Sequence, residues 1–460
     1  MLVSKKNAKA NVWALLAMVL SVLVIANDFT AFSVALPMMN EQLHTGIDKT
    51  QWVINGYTLM FGVFIVTGGR LADRIGRRKT LIFGLVIFAF FSVLAGLVNS
   101  IYGVIICRIL MGIGGALIWP SVIGIVFSVF PVSKAGIAGA LVLGTAGFGN
   151  AMGPLLGGGL TDTWGWRWIF FINLPIAIIV YLLVCINIEN DNPVDQKESI
   201  DYVGVSTLSI SLLSLLLVLD LGISVGWKNP FILSLFVIFL VALFCFVLIE
   251  RRGGESALIP PDIIHNVSFL LAGLATLMTS AVFFTVLVYL PLFFTKVMQY
   301  SAMESGIGLL PIMLTFALSS FFAGAFYEKL GAKWITSIGT GSLVLGMFLL
   351  SHLTMYTSYT SMLTGMIVLG LGVGFFYSTI TTVALTSVSE TRASLAGGII
   401  YMLLNVGGAI GLAVNTVIVA QYESLSEGMN MAFSLNAILS FLGLLICLLW
   451  IGNKSNIEKS

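Results

Sequence analysis

Two residues of opposite charge lie inside long apolar stretches of the sequence, where charged side chains are rare. Asp28 falls in the apolar run 11–37, and Arg108 falls in the run 101–128. Of the 20 acidic residues, Asp28 is the one that lies well inside such a run. Burial favours the neutral form of a carboxyl group, whereas a neighbouring cation favours the ionised form. A small movement of these side chains would therefore decide whether the acid holds a proton.

Asp28 and Arg108 lie at similar depths if both runs are helices. Asp28 is nine residues from Pro37, and Arg108 is seven residues from Ile101. At about 1.5 Å per residue, both lie about 10–14 Å from the same membrane surface. An ionisable group in a bilayer costs about 2.5–3.5 kcal/mol and by default indicates a functional site. We predict that Asp28 and Arg108 form a proton-coupling site; a purely structural ion pair is the alternative.

The composition excludes most classes of water-soluble protein. Hydrophobic residues make up 58% of the 460 residues and charged residues 9%, whereas soluble domains carry about 25% charged residues. A net charge of +2 does not indicate nucleic-acid binding. The four cysteines and three histidines form no ligand pattern, and no phosphate-binding GxxxxGK[ST] loop occurs. We therefore expect that the protein is not an enzyme and uses neither a metal nor a cofactor. A proton gradient is the expected energy source.

The apolar runs predict an all-α membrane protein with fourteen spans. Of the 22 Lys and Arg residues, 17 fall in loops on the side of the N-terminus, 4 on the opposite side and one inside a span. Positive residues concentrate in cytoplasmic loops, so both termini are expected on the cytoplasmic side of the cytoplasmic membrane. The predicted spans are 11–37, 50–69, 80–98, 101–128, 135–160, 168–188, 202–222, 230–249, 268–293, 303–327, 335–352, 358–386, 394–420 and 429–451.

The first and last parts of the sequence repeat each other at an offset of about 255 residues. The segment GRLADRIGRRK (69–79) matches GAFYEKLGAKW (324–334). Chance recurrence of Gly and Leu is the alternative, but the matched charges argue against it. Such repeats are typical of secondary transporters with a central site between two halves. We predict a six-helix bundle (1–190), two inserted helices (191–255) and a second six-helix bundle (256–460).

These motifs carry a resemblance that covers the whole chain. Segment 69–79 resembles the signature loop of the major facilitator superfamily, and Arg108-Ile-Leu-Met-Gly112 resembles the arginine motif of its drug exporters. GNAMGPLLGG (149–158) resembles its antiporter motif. Segments 27–37 and WRWIFFINLP (166–175) resemble the fourteen-span drug:proton antiporter branch.

The resemblance implies roles for the loop and for the glycine-rich helix. The loop would form a charge-and-dipole latch between the two halves, made in one conformation and broken in the other; topology setting by its basic residues is the simpler reading. The glycine-rich helix would bend and seal the cavity, or simply pack closely. The predicted conformational residues are Gly69, Asp73, Arg74, Gly76, Arg77, Arg78, Gly149, Gly153, Pro154, Gly157 and Gly158.

The second half lacks both membrane charges and is aromatic at the matching positions. Aromatic surfaces suit flat lipophilic cations through stacking and cation–π contacts, although aromatic residues in spans mostly face lipid or neighbouring helices. We expect a monomer in the lipid bilayer that exports amphipathic cationic aromatic drugs or dyes in exchange for protons. The predicted substrate-binding residues are Asp28, Phe32, Asn55, Phe283, Phe284, Phe376, Tyr377 and Asn405.

Two other functions remain open from the sequence. A metabolite or sugar carrier of the same fold would need polar groups in its cavity, and the asparagines in the spans, such as Asn55 and Asn405, keep it possible. A membrane-embedded enzyme or sensor would need a convergent catalytic group or a soluble signalling domain, and the sequence offers neither.

Overall fold

The computed structural model describes residues 8–189, 201–254 and 257–450, and every regular element in these ranges is a helix. This confirms the all-α prediction. The predicted boundaries at 190/191 and 255/256 lie outside the described residues. The helices are α1 (Ala8–Gln42), α2 (Ile47–Ile75), α3 (Arg77–Leu97), α4 (Ile101–Val129), α5 (Ala135–Thr163), α6 (Arg167–Phe171), α7 (Asn173–Asn187), α8 (Tyr202–Val225), α9 (Pro230–Gly253), α10 (Pro261–Ile264), α11 (Val267–Lys296), α12 (Ala302–Gly308), α13 (Leu310–Leu350), α14 (Tyr359–Thr386), α15 (Ala393–Val419) and α16 (Leu425–Trp450).

Thirteen stretches of the described chain are long and apolar enough to cross a membrane. One of them, Met303–Leu350, has 48 residues, whereas a single crossing needs about 20. Gly331 has φ 78° and ψ 162° and interrupts the helical geometry of α13. The two parts of this stretch therefore make two crossings, and the thirteen stretches supply the fourteen predicted spans.

The first predicted span is too short at its C-terminal end. Helix α1 continues through Pro37 to Gln42, and α11 likewise continues through Pro291 to Lys296. Proline removes one backbone hydrogen bond, but spanning helices tolerate it because neighbouring groups can satisfy the freed carbonyl. Pro37 therefore does not end the helix, although the depth of Asp28 counted from it remains a useful guide.

The repeat has the same backbone geometry in both copies. Gly76, between α2 and α3, has φ 108°, and its counterpart Gly331 has φ 78°. Residues that carry a side chain rarely adopt a backbone φ in this left-handed region, whereas glycine adopts it at little cost. Short 3-10 turns, Val132–Lys134 and Glu390–Arg392, precede α5 and α15 respectively. The sequence repeat is therefore a structural repeat of turns as well as of helices.

Two of the helix pairs that join the halves are related to each other by the repeat. Helix α2 packs on α15, and α13 packs on α5. A Cβ atom placed on Gly69 of α2 would lie 2.6 Å from the Ser394 carbonyl oxygen, and one on Gly324 of α13 would lie 2.5 Å from Ala140 Cβ. Only glycine permits these approaches, so the repeated glycine places a close contact in each seam. Helices α8 and α9 pack on each other, and α8 also contacts α2 and α15.

The bundle has two ends with different charge. The basic face is the end at which α2 finishes and α15 begins, close to Arg74, Arg77 and Arg78. The opposite face is the other end, where α1 and α8 finish.

Candidate functional site

The structure brings Asp28 of α1 and Arg108 of α4 into direct contact. Arg108 Nη1 donates a hydrogen bond to Asp28 Oδ2, and both side chains are fully buried. A buried ion pair persists only when its geometry and further hydrogen bonds offset the loss of hydration. The surroundings of both side chains provide such contacts.

Three further groups contact Arg108 besides the carboxylate. Its Nε donates to the Val53 carbonyl oxygen at 2.7 Å. The guanidinium carbon lies 4.4 Å from the ring centre of Phe32 and 4.3 Å from that of Tyr57, which places the cation between two aromatic faces. Phe32, predicted to bind substrate, is fully buried in this structure and covers Arg108.

Asn173, which the sequence analysis did not select, completes the site around Asp28. Its Nδ2 donates to Asp28 Oδ1 at 3.4 Å and to Ser92 Oγ at 3.1 Å, and Ser92 in turn donates to the Phe170 carbonyl oxygen at 2.8 Å. Asn173 is the first residue of α7, just after the break that follows α6. A polar amide inside the apolar run 168–188 was the available signal.

The four polar side chains join four elements of the first half: α1, α3, α4 and α7. A proton added to Asp28 would remove the charge that attracts Arg108 and Asn173, because a neutral carboxyl group accepts weaker hydrogen bonds than a carboxylate. Protonation at this one atom group can therefore change how α1 packs on α4 and α7. A proton bound at Asp28 would thus act on the contacts of three helices at once.

We predict that Asn173→Ala lowers gradient-driven transport more than it lowers exchange of substrate for substrate. A hydrogen bond to a charged group contributes about 1.5–3 kcal/mol, and this bond is long, so we expect a loss of roughly tenfold. Asn187→Ala is the matched control, since Asn187 also lies on α7 and, among the residues that the structure describes, bonds the Leu183 carbonyl oxygen of its own helix alone. Equal losses in coupled transport and in exchange would contradict a role in coupling.

The predicted aromatic residues of the second half form one cluster. The Phe283 ring centre lies 6.1 Å from Phe284, 6.1 Å from Phe316 and 6.5 Å from Tyr377. Phe376 lies 5.2 Å from Tyr377 and is fully buried. Phe283 and Phe284 are half-buried, so they are the predicted members of this cluster that keep accessible surface.

A second group of rings crosses the seam between the halves. Tyr401 of α15 lies 5.8 Å from Phe61 of α2 and 4.5 Å from Trp119 of α4, and Phe29 of α1 lies 5.2 Å from Phe61. Sequence reasoning did not select these residues because they have no counterpart in the charged motifs. Their spacing suits edge-to-face contact, so they close the middle of the seam.

The two predicted asparagines have different partners. Asn55 of α2 donates to Asp220 Oδ1 of the inserted helix α8 at 2.8 Å, whereas Asn405 of α15 donates to the Tyr401 carbonyl oxygen of its own helix at 2.7 Å. Neither hydrogen bond joins the aromatic cluster around Phe283.

Asp73 lies at the basic face and joins the two halves. Its Oδ1 accepts from the Ser394 amide at 3.2 Å, and its Oδ2 accepts from the Leu395 amide at 2.7 Å. Both amides belong to the first turn of α15, where free N–H groups and the helix dipole attract a carboxylate. Asp73 on α2 therefore caps a helix of the other half.

Arg77 reinforces this contact between the halves. It pairs with Asp73 at 3.2 Å, donates to the Gly124 carbonyl oxygen at 2.8 Å and donates to the Glu390 carbonyl oxygen across the seam. Arg78 donates to the Cys185 carbonyl oxygen of α7 at 3.1 Å, within the first half. Arg74 is half-buried beside the turn at Gly76.

The second copy of the loop lacks these bonds. Glu328, the counterpart of Asp73, is exposed and makes no hydrogen bond or ion pair with any residue that the structure describes. The latch geometry is therefore present at α2–α15 and absent at the repeat-related seam α13–α5.

The glycine-rich helix α5 packs on both halves. Gly149, Gly153 and Gly157 face α1, where a Cβ atom on Gly149 would lie 2.8 Å from Ala26 Cβ. Gly153 faces Thr30, and Gly157 faces Ala31. This contact holds α1, and with it Asp28, against α5.

The other face of the same turn of α5 meets the second half. A Cβ atom on Gly306 of α12 would lie 3.0 Å from Pro154 Cβ, and one on Gly158 would lie 3.9 Å from Met303 Sδ. The predicted motif 149–158 thus lies between the helix that carries Asp28 and the opposite half of the molecule.

A family model described as Major Facilitator Superfamily matches residues 18–219, 202–412 and 309–459. The chain belongs to the Major Facilitator Superfamily. It is therefore a transporter and not an enzyme, and its many apolar helices make it a multi-pass membrane protein. The predicted family and fold are confirmed.

Three bacterial relatives are similar over most of their length. Multidrug resistance protein 3 of Bacillus subtilis (strain 168) is 28% identical over 92% of this chain and 82% of its own. Multidrug resistance protein Stp of Mycobacterium tuberculosis (strain ATCC 25618 / H37Rv) is 32% identical over 89% of this chain and 76% of its own. Puromycin resistance protein pur8 of Streptomyces alboniger is 29% identical over 88% and 81% respectively.

A solved structure shares the fold. The crystal structure of the human organic anion transporter MFSD10 (TETRAN) superposes with a TM-score of 0.71, over 96% of this chain and 100% of that chain, at 13% sequence identity. Identity this low supports the architecture alone.

Proposed function

We propose that this chain is a proton-coupled antiporter that exports amphipathic, cationic aromatic drugs or dyes across the bacterial cytoplasmic membrane. The observation that carries the proposal is the buried pair of Asp28 and Arg108, which Asn173 links to two further helices. A protonatable acid in the membrane interior is a functional group by default. Here it lies where a change of charge alters helix packing.

The relatives support export of drugs in particular. Three of them are named for resistance, two to multiple drugs and one to puromycin. Resistance by a membrane transporter requires that the compound leave the cell. The metabolite carrier that the asparagines left open has less support, because Asn55 and Asn405 are hydrogen-bonded within the protein.

The latch supports alternating access as the route of export. The seam between α2 and α15 is closed at the basic face by Asp73, Arg77 and the first turn of α15. If both termini and this face are cytoplasmic, as the positive residues predict, the structure is closed toward the cytoplasm. Release of the latch would then open the drug-binding site to the cytoplasm, where the drug is.

Vesicle transport tests the proposal directly. Purified protein in proteoliposomes, with an imposed pH gradient, should accumulate ethidium against its concentration gradient. An uncoupler should abolish this accumulation, and protein-free liposomes should show none. Ethidium movement that ignores the pH gradient would contradict proton coupling, and transport of sugars or metabolites instead would favour the carrier alternative.

A further inference from the structure

The acid that carries the proton is unavailable to a cationic drug in this conformation. Asp28 is fully buried and already paired with Arg108, whose positive charge would repel a second cation. At the basic face Asp73 is likewise paired with Arg77. A carboxylate that binds the cation in this conformation must therefore be a different one, exposed and without a cationic partner.

Asp220 of the inserted helix α8 has these properties. It is the one Asp, Glu, Lys or Arg among the 24 residues of α8, and it lies five residues, or about 8 Å, before the end of that helix. Its side chain is exposed. Within the described ranges 8–189, 201–254 and 257–450, it forms no ion pair.

One neutral donor holds the carboxylate in place. Asn55 Nδ2 donates to Oδ1 at 2.8 Å, and Oδ2 accepts no hydrogen bond from the described part of the chain. Lys49, also on α2, lies over the Tyr102 ring at 5.4 Å instead. A carboxylate has about four lone-pair sites, so Asp220 keeps most of its capacity for a ligand.

Asp220 lies at the seam between the two halves. One turn before it, Leu216 and Asn405 of α15 both approach Gly62 of α2: a Cβ atom on Gly62 would lie 3.6 Å from Leu216 Cδ1 and 3.8 Å from Asn405 Cβ. The two halves and the inserted pair thus meet at one level. Asp220 and Asn55 lie beyond that level, toward the opposite face.

We propose that Asp220 and Asn55 form a binding site for the cationic group of the exported compound, separate from the proton site at Asp28. This inference rests on the proposed function and deepens it. The inserted helix α8 then supplies a carboxylate beside α2, on the side of the Gly62 contact that faces away from Asp73. The ligand class is the monovalent organic cation, and Asn55 is a positioning residue that fixes the carboxylate.

Transport of a charged and an uncharged compound tests the site. In proteoliposomes, Asp220→Asn should raise the ethidium concentration for half-maximal transport roughly tenfold, as expected for a partly screened cation–carboxylate contact. Transport of uncharged chloramphenicol should stay within a factor of about two, since no charge is involved. Asp162→Asn is the matched control, because Asp162 is another exposed acid near the opposite face, and it should change neither. Asn55→Ala should also raise the ethidium concentration for half-maximal transport, but by a smaller factor.

Binding of tetraphenylphosphonium to the purified protein provides a second readout. Equilibrium dialysis should show saturable binding that Asp220→Asn weakens and Asp162→Asn preserves, with thermal unfolding of each variant as the check on folding.

Equal losses for ethidium and chloramphenicol would make Asp220 a tether for α8, and unchanged ethidium transport and binding would overturn the site. Wild-type protein that moves chloramphenicol but neither moves nor binds the cations would overturn the site and leave efflux standing. Cation binding that depends on Asp220, without transport of either compound, would refute the proposed function alone.

Discussion

We expect Asp28→Asn to abolish accumulation of ethidium against its gradient but to preserve exchange of ethidium for ethidium across the same membrane. Asparagine has the size of aspartate and mimics its protonated form, so the site should remain packed between α1 and α4. What is lost is titration: the side chain can no longer bind a proton on one side and release it on the other. We expect pH-driven accumulation to fall to the level of protein-free liposomes.

Exchange is the informative comparison, because it requires the conformational change but no net proton movement. Removing one partner of a buried ion pair can destabilise a protein by about 3–5 kcal/mol, so the thermal unfolding of the variant must be measured alongside transport. Asp162→Asn is the control, since it removes an exposed acid at the opposite face. Full pH-driven accumulation by Asp28→Asn would refute its role in coupling, and loss of exchange together with stability would show a structural role.

The contact between Asp28 and Arg108 could be anticipated because helix rise is fixed and because the family resemblance implies that their two helices are neighbours. Depth along a spanning helix follows from counting residues, and two charges at one depth in neighbouring helices have few other partners in a membrane. Asn173 at the same site was not selected. Its neutral amide carries a smaller transfer cost than a charge, and its place at the junction of α6 and α7 depends on a helix break that hydropathy does not reveal.

The partners of Asn55 show the opposite limit. Its depth in the second span was predictable, but its direction depends on how α2 rotates about its axis and on where the inserted helices dock. Hydropathy fixes neither, because α8 is apolar around most of its surface. The contact with Asp220 therefore emerged only from the packing of the inserted helix on α2.

Gly76 and Gly331 show why the repeat was readable. Both need a left-handed backbone, which restricts the residue type at each position to glycine. Asp73 and Glu328 kept only their charge, and the structure gives them different surroundings. A repeat in sequence thus predicted the shared turn, but did not predict that one of the two acids caps a helix of the other half.

We expect Asp73→Asn to slow transport and to leave drug affinity within a few-fold of the wild-type value. Asp73 lies at the basic face, near the end of α2, and bonds two amides of α15. Asparagine has one acceptor oxygen, so it can keep one of these bonds and loses the charge that attracts Arg77 and the helix terminus. The conformation in which the basic face is closed is thereby weakened relative to the other conformation.

The size of the effect follows from what a latch does to a two-state equilibrium. A contact made in one state alone shifts the balance by its own free energy, typically about 1–3 kcal/mol, which corresponds to roughly 5- to 150-fold. We expect the transport rate to decrease by a factor in this range, because the carrier must pass through the weakened state in every cycle. Glu328→Gln is the matched control and should transport nearly as the wild type does, since the Glu328 side chain is exposed and has no partner among the described residues.

Equilibrium binding and transport rate, measured on the same purified variants, separate the two roles that Asp73 could have. A residue that shapes the drug site would change affinity and leave turnover per bound drug intact. A residue of the latch changes turnover, because its contacts with Ser394 and Leu395 exist only while the two halves meet at the basic face. A large loss of binding with normal turnover would therefore assign Asp73 to the drug site. An equal effect of Glu328→Gln would show that the loss does not depend on the contacts of Asp73 with α15.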